Sequence, residues 1–318
     1  MNSNLYLFFE KFNVPEKIKK LIPKIFTEEE IILLNHLVDK EDTMANMNAK
    51  FPYYPPSLLI SMYDKGYLIR KPKKEEDYYK SCPFEEILKI FIKHSSVFQK
   101  LPDIDKAACQ ECVTGWSLKE MTESKEPAYR IIPIEVTIQD KRQLIPIYQA
   151  RTYIQRATDL ALVNCQCRST FQKCNKPIKV CLALNEKAEF FMHNKMGERI
   201  DIQDGLEILE IAEKNGLVRS INNKENPDYL CNCCECCCVF IQGLKKYGIS
   251  TSIGKSGFIA KLNPEMCNLC GLCVEMCLFE AISYENEGIK INEDKCFGCG
   301  LCSYHCPQSA IQLILHKN

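Results

Sequence analysis

The chain contains 318 residues, of which 46% are hydrophobic, so it is long enough to form two or three domains with packed cores. Its 41 basic and 41 acidic side chains give a formal net charge of zero, which excludes a general electrostatic attraction to nucleic acids or anionic membranes. No apolar run approaches the roughly 20 residues that span a bilayer, and the first residues lack the basic and apolar segments of a signal peptide. We therefore expect a cytoplasmic protein without a membrane span.

Residues 1–80 are expected to form a winged-helix-like helical domain. Thr27 is followed three residues later by Glu30, which is the spacing of a capping box, and the apolar run IILLNHLV continues this helix. A second helix is predicted to begin at Pro55-Pro56 and to end at Gly66, before a short strand at residues 67–69.

The same domain lacks the charges of a DNA-binding surface. A DNA-binding winged helix would carry basic and amide side chains on its second helix, whereas residues 57–65 contain one lysine and one aspartate. The lysines of the predicted wing are followed at once by acidic residues, in the stretch Lys71, Lys73, Lys74, Glu75, Glu76 and Asp77. The pattern favours a protein-interaction or packing module over DNA binding.

Residues 81–160 are interpreted as a connecting region. Apolar and polar residues alternate over 121–145, as in the stretch 130–138, which predicts an extended strand with a proline break. Residues 148–163 are predicted to form a helix that leads into Cys165. Cys109 and Cys112 form a lone CxxC, which is weak evidence for dithiol chemistry. Together with Cys82 they are interpreted as free thiols, with a further metal site as the alternative.

The cysteine content indicates metal or redox chemistry. The chain contains 21 cysteines, and eighteen of them lie between residues 165 and 306. A chain of this length with a packed core does not need a disulfide scaffold, and in a reducing cytosol so many thiols are typical of metal ligands.

Residues 161–250 are predicted to form a cysteine-rich metal-binding domain. Its ten candidate ligands are Cys165, Cys167, Cys174, Cys181, Cys231, Cys233, Cys234, Cys236, Cys237 and Cys238. Between the two bursts we predict a helix that is capped by Asp201 or Asp204 and ends at Asn215-Gly216. A third iron–sulfur cluster is the leading interpretation and structural zinc the alternative. Ten thiolates exceed the four that one centre needs, so the others are left for a second centre, redox exchange or no role.

Residues 255–318 carry the most specific motif. The C-x2-C-x2-C-x3-C run occurs twice, and all four cysteines of the second run stand at one constant offset from those of the first (296 − 267 = 29). The runs are Cys267, Cys270, Cys273 and Cys277, and then Cys296, Cys299, Cys302 and Cys306. Three cysteines at two-residue intervals on a tight loop suit three corners of a 4Fe–4S cluster, whereas zinc ribbons use more widely separated CxxC pairs.

This region resembles the bacterial-type two-cluster 4Fe–4S ferredoxin fold. In two-cluster ferredoxins the fourth ligand comes from the other run, so one cluster is expected on Cys267, Cys270, Cys273 and Cys306 and the other on Cys296, Cys299, Cys302 and Cys277. The resemblance implies two short hairpins and two short helices around two clusters. Gly271 and Gly300 are expected where the backbone approaches each cluster. Leu278 departs from the proline that usually follows the fourth cysteine.

The order of features from about residue 130 onward also resembles a family of cytoplasmic 4Fe–4S-binding proteins from anaerobic bacteria and archaea. The matching features are IIPIEVTI, NCQCR, the cysteine near Lys176-Pro177, VCLALN, YLCNCCECCC and the two ferredoxin runs. The resemblance implies iron–sulfur binding in anaerobic redox metabolism and supplies no substrate.

The predicted fold class is therefore α+β, with a winged-helix-like N-terminus, a cysteine-rich middle domain and a C-terminal two-cluster ferredoxin fold. The favoured function is an electron-transfer protein or redox-complex subunit that exchanges single electrons with a partner protein. The alternatives are an oxidoreductase whose middle centre binds a substrate at an open coordination position, and a redox- or iron-sensing DNA-binding regulator.

Overall fold

The computed structural model describes residues 3–73, 76–143, 145, 147, 149–285 and 288–316. It is a mixed α+β structure that divides into two compact units. The N-terminal unit contains residues 1–117 and 193–196, and the C-terminal unit contains residues 118–192 and 197–318. Within these described ranges no helix is both long enough and apolar enough to cross a membrane.

Short helices and a small sheet build the N-terminal unit. Its helices are α1 (Ser3–Lys11), α2 (Ile22–Ile25), α3 (Glu28–Leu37), α4 (Met44–Lys50), α5 (Pro56–Asp64), α6 (Phe84–His94) and α7 (Ser96–Gln99), and α8 (Asp103–Glu123) begins here. Strands β1 (Asp42–Thr43), β2 (Leu68–Pro72) and β3 (Asp77–Ser81) form an antiparallel sheet in the order β1-β3-β2.

Two local predictions for this unit are confirmed. The Thr27 side chain accepts from the backbone of Glu30 while the Glu30 side chain accepts from the backbone of Thr27, so the capping box is complete. Helix α5 begins at Pro56, and Gly66 follows it with φ of +74°. Two wing residues, Lys74 and Glu75, lie outside the described residues.

A seven-stranded sheet is the centre of the C-terminal unit. Its strands are β4 (Tyr129–Ile131), β5 (Leu160–Asn164), β6 (Lys179–Leu184), β7 (Gly197–Arg199), β8 (Val218–Asn222), β9 (Tyr229–Cys233) and β10 (Ile253–Gly254). The strand order is β10-β4-β8-β9-β6-β5-β7, antiparallel except for the β10–β4 pair. The accompanying helices are α9 (Ala150–Arg156), α10 (Gln166–Phe171), α11 (Asn185–His193), α12 (Ile202–Lys214) and α13 (Val239–Tyr247).

Helix α12 packs its apolar side on this sheet, and both of its ends are well defined. Asp201 and Asp204 form a reciprocal capping box at the start, and Gly216 follows the end with φ of +61°. Leu209 joins a buried cluster with Ile154 of α9 and strand residues. The predicted helix and both of its ends are confirmed.

The helix predicted over residues 148–163 is wrong for its second half. Helix α9 ends at Arg156, and residues 160–164 (LALVN) form strand β5, paired on both sides by β6 and β7. A strand buried between neighbours lacks polar alternation, so its apolar run resembles helix sequence. Tyr148 itself lies outside the described residues. The strand predicted over 130–138 is limited to β4, after which a 3-10 turn follows at Glu135–Thr137.

The last part of the C-terminal unit contains the repeated cysteine runs. Its elements are β11 (Phe258–Leu262), α14 (Leu272–Glu275), β12 (Ile282–Glu285), β13 (Gly288–Ile291), α15 (Leu301–Tyr304) and β14 (Ile311–Leu315). Strands β12 and β13 form the expected local hairpin, but β11 pairs with β14, so the second two-stranded sheet joins the ends of the segment instead of forming a hairpin. Ile138 bridges to Leu313, which attaches this segment to the rest of the unit.

Candidate metal centres

The two cysteine runs have the same backbone as well as the same spacing. Three positions with positive φ recur at the offset that relates the cysteines: Leu269 (+58°) with Gly298 (+64°), Gly271 (+79°) with Gly300 (+88°), and Glu280 (+55°) with Ser309 (+49°). Residues other than glycine rarely adopt left-handed backbone. Its occurrence at Leu269, Glu280 and Ser309 therefore reflects a backbone conformation that the two runs share. The internal repeat seen in sequence is therefore a structural repeat.

Backbone amides point at the sulfur atoms of these runs. The amide of Ala281 donates to Sγ of Cys277 at 3.2 Å, and the equivalent amide of Ala310 donates to Sγ of Cys306 at 3.3 Å. Such bonds stabilise the negative thiolate that an iron–sulfur cluster requires.

Glycine is needed where these loops pass close to other groups. A Cβ built on Gly298 would lie 2.1 Å from the carbonyl oxygen of Phe258, and one on Gly300 would lie 2.6 Å from Oγ1 of Thr137. With the amide donors, these tight turns are the cradle that two 4Fe–4S clusters need.

The eight repeated cysteines separate in space into two sets. The first cluster set, which lines a small cavity, is Cys267, Cys270, Cys273 and Cys306. Cys277 interacts electrostatically with Cys296, Cys299 and Cys302, and we call these four the second cluster set; Cys302 also interacts with Cys273 of the first set. In two-cluster ferredoxins the fourth ligand of each cluster comes from the other run, and the assignment of these eight cysteines to two clusters stays a prediction.

The two sets differ in burial. Cys270 of the first set is exposed, whereas Cys296 and Cys302 of the second set are buried. Burial raises the pKa of Cys299 to about 12, and burial followed by neighbouring thiols raises the pKa of Cys302 well above its ordinary value. Without metal these thiols stay protonated at neutral pH, so iron binding at the second set displaces protons.

The ten middle cysteines are positioned by three strands and the connections around them. Cys165 follows β5 and precedes α10, which carries Cys167, and Cys174 lies in the next loop. Cys181 lies on β6, while Cys231 and Cys233 lie on β9. Cys234, Cys236 and Cys237 lie in the turn after β9, and Cys238 immediately precedes α13.

Four of these ten form a compact group: Cys174, Cys234, Cys236 and Cys237. Their sulfur atoms all lie within 4.8 Å of one another, with 3.9 Å between Cys174 and Cys234 and 3.8 Å between Cys236 and Cys237. The amide of Lys173 donates to Sγ of Cys237 at 3.4 Å. The sequence could not select these four, because the loop that carries Cys174 and the turn after β9 are distant in the chain and meet only when it folds.

The sulfur spacing in the compact group fits a single ion. Four thiolates at about 2.3 Å from one tetrahedral metal stand about 3.8 Å apart. A 4Fe–4S cluster holds its thiolates on separate irons, which requires wider spacing. Within the described residues, no three of the eight ferredoxin-type cysteines bring their sulfur atoms within 4.8 Å of one another. The compact group can therefore hold a further metal centre, and its geometry suits one metal ion.

Sequence reasoning missed Arg168, which stands in the NCQCR stretch. Its side chain is buried, with 1% exposure, and its Nε and Nη1 donate to the carbonyl oxygens of Pro177 and Asn232 at 2.9 Å each. Nη2 has no oxygen or nitrogen partner among the described residues, and the guanidinium interacts with the sulfur of Cys234. A basic residue beside a cysteine burst is the signal that could have identified it as a charge partner for thiolates.

The three N-terminal cysteines lie apart from these groups along the chain. Cys109 and Cys112 are buried one turn apart on α8, and burial raises the pKa of Cys109 to about 12. Such a thiol is a poor nucleophile and a poor redox group at neutral pH. The interpretation of these cysteines as free thiols stays a prediction.

Leu278, which stands where ferredoxins usually have proline, packs into a buried cluster. The same cluster contains Cys233, Cys238 and Ile241 of the middle region. A leucine side chain is longer than a proline ring. Leu278, at the position where ferredoxins usually have proline, therefore packs the first cysteine run against residues of α13 and β9.

Comparison with known proteins agrees with this geometry for the C-terminal segment. Residues 260–313 match the family model described as a 4Fe-4S dicluster domain. No curated protein and no solved structure gave a match to this chain. The resemblance to cytoplasmic proteins of anaerobes stays a prediction. The chain carries a C-terminal 4Fe–4S dicluster domain, which implies two 4Fe–4S clusters in a cysteine-rich protein.

Proposed function

We propose that this protein is an electron-transfer protein, or the electron-transferring subunit of a redox complex. The dicluster domain implies an electron-transfer role, because each 4Fe–4S cluster, when bound, takes up and releases single electrons. The observation that supports the proposal is the backbone repeated in the two cysteine runs, with equivalent amide donors to Cys277 and Cys306.

The redox partner docks on the surface around the first cluster set. Its Cys270 is exposed, and the surrounding loop exposes apolar side chains: Met266 (46%), Leu269 (47%), Leu272 (37%) and Tyr284 (57%). Exposed apolar residues grouped around a redox centre favour a protein partner that docks there and shortens the distance for electron transfer. The partner proposed is therefore another redox protein.

The assignment of cysteines to clusters is tested by Cys270→Ala and Cys299→Ala. Each substitution removes one ligand from one set, so each variant should lose or convert one cluster and retain the other. Anaerobic iron and sulfide analysis with EPR should show at most about half of the dicluster iron missing in either variant. Unchanged iron and EPR signals in both variants would contradict the assignment.

The compact group supports structural binding of one ion, with zinc as the leading metal. Four thiolates complete a tetrahedral shell and leave no open position for a substrate. The alternative of an oxidoreductase that binds substrate at this centre is therefore not favoured by the compact group.

The metal of the compact group is tested by Cys236→Ser. The variant should lose about one metal ion per chain and no sulfide, because a single ion needs no bridging sulfide. Cys112→Ser, which changes a buried cysteine on α8, is the matched control and should retain all metal. Loss of sulfide from Cys236→Ser would indicate a cluster instead of a single ion.

The N-terminal unit serves as a protein-interaction module of winged-helix type. The chain order helix α3, strand β1, helices α4 and α5, then β2 and β3, with sheet order β1-β3-β2, supports this interpretation. On α5 the exposed residues include Ile60, and Tyr53 just before it is 94% exposed. An exposed aromatic and an exposed aliphatic side chain suit a protein surface better than a phosphate backbone.

A further inference from the structure

Six middle cysteines remain outside the compact group, and they share one region of the fold. We call them the six-cysteine group: Cys165, Cys167, Cys181, Cys231, Cys233 and Cys238. Side chains two residues apart on a strand point to the same face, so Cys231 and Cys233 of β9 lie on one face of the sheet. Cys181 of β6 lies one position beyond the Leu182–Leu230 pair, which brings it beside Cys231.

Thiol–thiol interactions connect all six sulfur atoms in a chain. Cys165 interacts with Cys181, Cys181 with Cys231, and Cys231 with Cys233. The chain continues from Cys233 to Cys238 and from Cys238 to Cys167. Packing alone gives no reason to line up six thiols in this way, because a free cysteine packs as a small hydrophobic residue that alanine or valine can replace.

The spacing of the six-cysteine group differs from that of the compact group. Within the described residues, no three of its sulfur atoms all lie within 4.8 Å of one another, although each has a sulfur neighbour. Among the eight described cysteines of the dicluster domain, no three sulfur atoms meet this limit either. The six-cysteine group therefore lacks the mutual contact of at least three sulfur atoms that marks the compact group, and its thiols form a chain instead.

A buried positive charge and a hydroxyl group adjoin the six-cysteine group. Arg168, which is fully buried, interacts electrostatically with Cys165 and Cys181. Burying a guanidinium is costly unless its charge and its donors have partners, and here two backbone carbonyl oxygens and the neighbouring sulfur atoms provide them. The hydroxyl of Ser220 contacts Sγ of Cys233 at 3.4 Å and can donate to it.

The group adjoins the second cluster set of the dicluster domain. Cys233 and Cys238 belong to a buried apolar cluster against which Cys277 and Cys299 also pack. An additional centre at this position would therefore be next to the second cluster set.

We propose that the six-cysteine group binds a third, polynuclear iron–sulfur cluster, separate from the single ion of the compact group. Four of its thiolates satisfy such a cluster, and two remain as neighbours or additional ligands. This inference goes beyond the proposed electron transfer through the dicluster domain, and it can fail while that function stands.

The decisive measurement is the acid-labile sulfide and iron of the full-length chain, isolated anaerobically and reconstituted with ferrous iron and sulfide. Two 4Fe–4S clusters account for about eight sulfides, so the proposal requires about two to four more. A saturating content of about eight sulfides or fewer in the unaltered chain would overturn it, and this result depends on no variant.

Cysteine variants then show which thiols hold the cluster that contains the additional sulfide. Cys181→Ser combined with Cys231→Ser should lose the sulfide in excess of about eight, with a similar number of irons, and should keep the dicluster iron. Cys236→Ser of the compact group is the matched control and should keep the excess sulfide. Retention of the excess in the Cys181/Cys231 variant, or its loss in Cys236→Ser alone, would refute the assignment.

Discussion

Gly298 determines the backbone conformation of the loop between Cys296 and Cys299. Its φ of +64° and the contact of its would-be Cβ with the Phe258 carbonyl leave no room for a side chain. Its carbonyl also accepts from Oγ of Ser256 at 2.9 Å, which holds the loop against β11. A side chain at position 298 would clash with the backbone of Phe258, which cannot move aside as a flexible side chain could.

We therefore expect Gly298→Ala to impair the second cluster. Left-handed backbone costs a non-glycine residue about 1 kcal/mol or more, and the clash with Phe258 adds to this. Anaerobic iron analysis should show up to about half of the dicluster iron lost.

Gly288→Ala is the control for that substitution. No described atom lies within 4 Å of a Cβ built on Gly288, so this variant should bind iron like the unaltered protein. Equal iron contents in Gly298→Ala and Gly288→Ala would show that the loop tolerates a side chain.

Arg168 interacts with cysteines of both the six-cysteine group and the compact group. Burial alone would lower the pKa of its guanidinium, but the neighbouring thiols of Cys165, Cys234 and Cys181 raise it above its usual range. Its charge is therefore shared by the six-cysteine group and the compact group. A side chain with this position could be identified only once both groups were seen in three dimensions.

At the scale of elements, helix α12 separates the two bursts of middle cysteines along the chain. Its C-terminal end contributes Ala212 to a buried cluster with Cys234 and Cys237, so the helix supports the compact group. The start of the helix depends on Asp201, which accepts from the amide of Asp204 at 2.8 Å.

Asp201→Ala should lower the free energy of unfolding by about 1 kcal/mol, because an amide at the helix start loses its acceptor. Urea unfolding followed by circular dichroism under anaerobic conditions measures the change. Glu210→Ala on the same helix removes only an exposed pair with Lys214 and should change stability by less than about 0.5 kcal/mol. An Asp201→Ala effect no larger than that of Glu210→Ala would contradict the capping role.

At the scale of the whole C-terminal unit, the dicluster domain is joined to the sheet that holds the middle cysteines. The amide of Ile134 donates to the carbonyl of Cys299 at 3.0 Å, and Leu278 lies in the same buried cluster as Ile131 and Cys233. Removing the residues after 254 would expose this surface, so full-length variants are the appropriate way to assign metals to sites.

The difference in burial predicts the order in which the clusters are lost. The first set contains the exposed Cys270, so its cluster should be attacked before the buried second cluster by a chelator or by ferricyanide. EPR at intervals should show Cys299→Ala, which keeps the first cluster, losing its signal faster than Cys270→Ala. Equal rates, or the reverse order, would contradict the burial argument.

Local features of this protein follow well from sequence. Capping boxes at Thr27 and Asp201 were predictable because the interacting groups lie three residues apart. The strand at 160–164 was not, because its apolar run is explained only by the two strands that cover it. Burial of that kind comes from partners distant in the chain.

The dicluster domain could be recognised without any structure, since the ligand spacing, the constant offset between the runs and the glycine positions are all local properties of the chain. How the ten middle cysteines divide became visible only in the folded chain. Cys234 and Cys233 are adjacent in sequence, yet Cys233 belongs to the face of β9 and Cys234 to the turn beyond it. Which thiols share a site depends on strand alternation and on where the distant loop of Cys174 returns, and neither is encoded in the spacing of the cysteines.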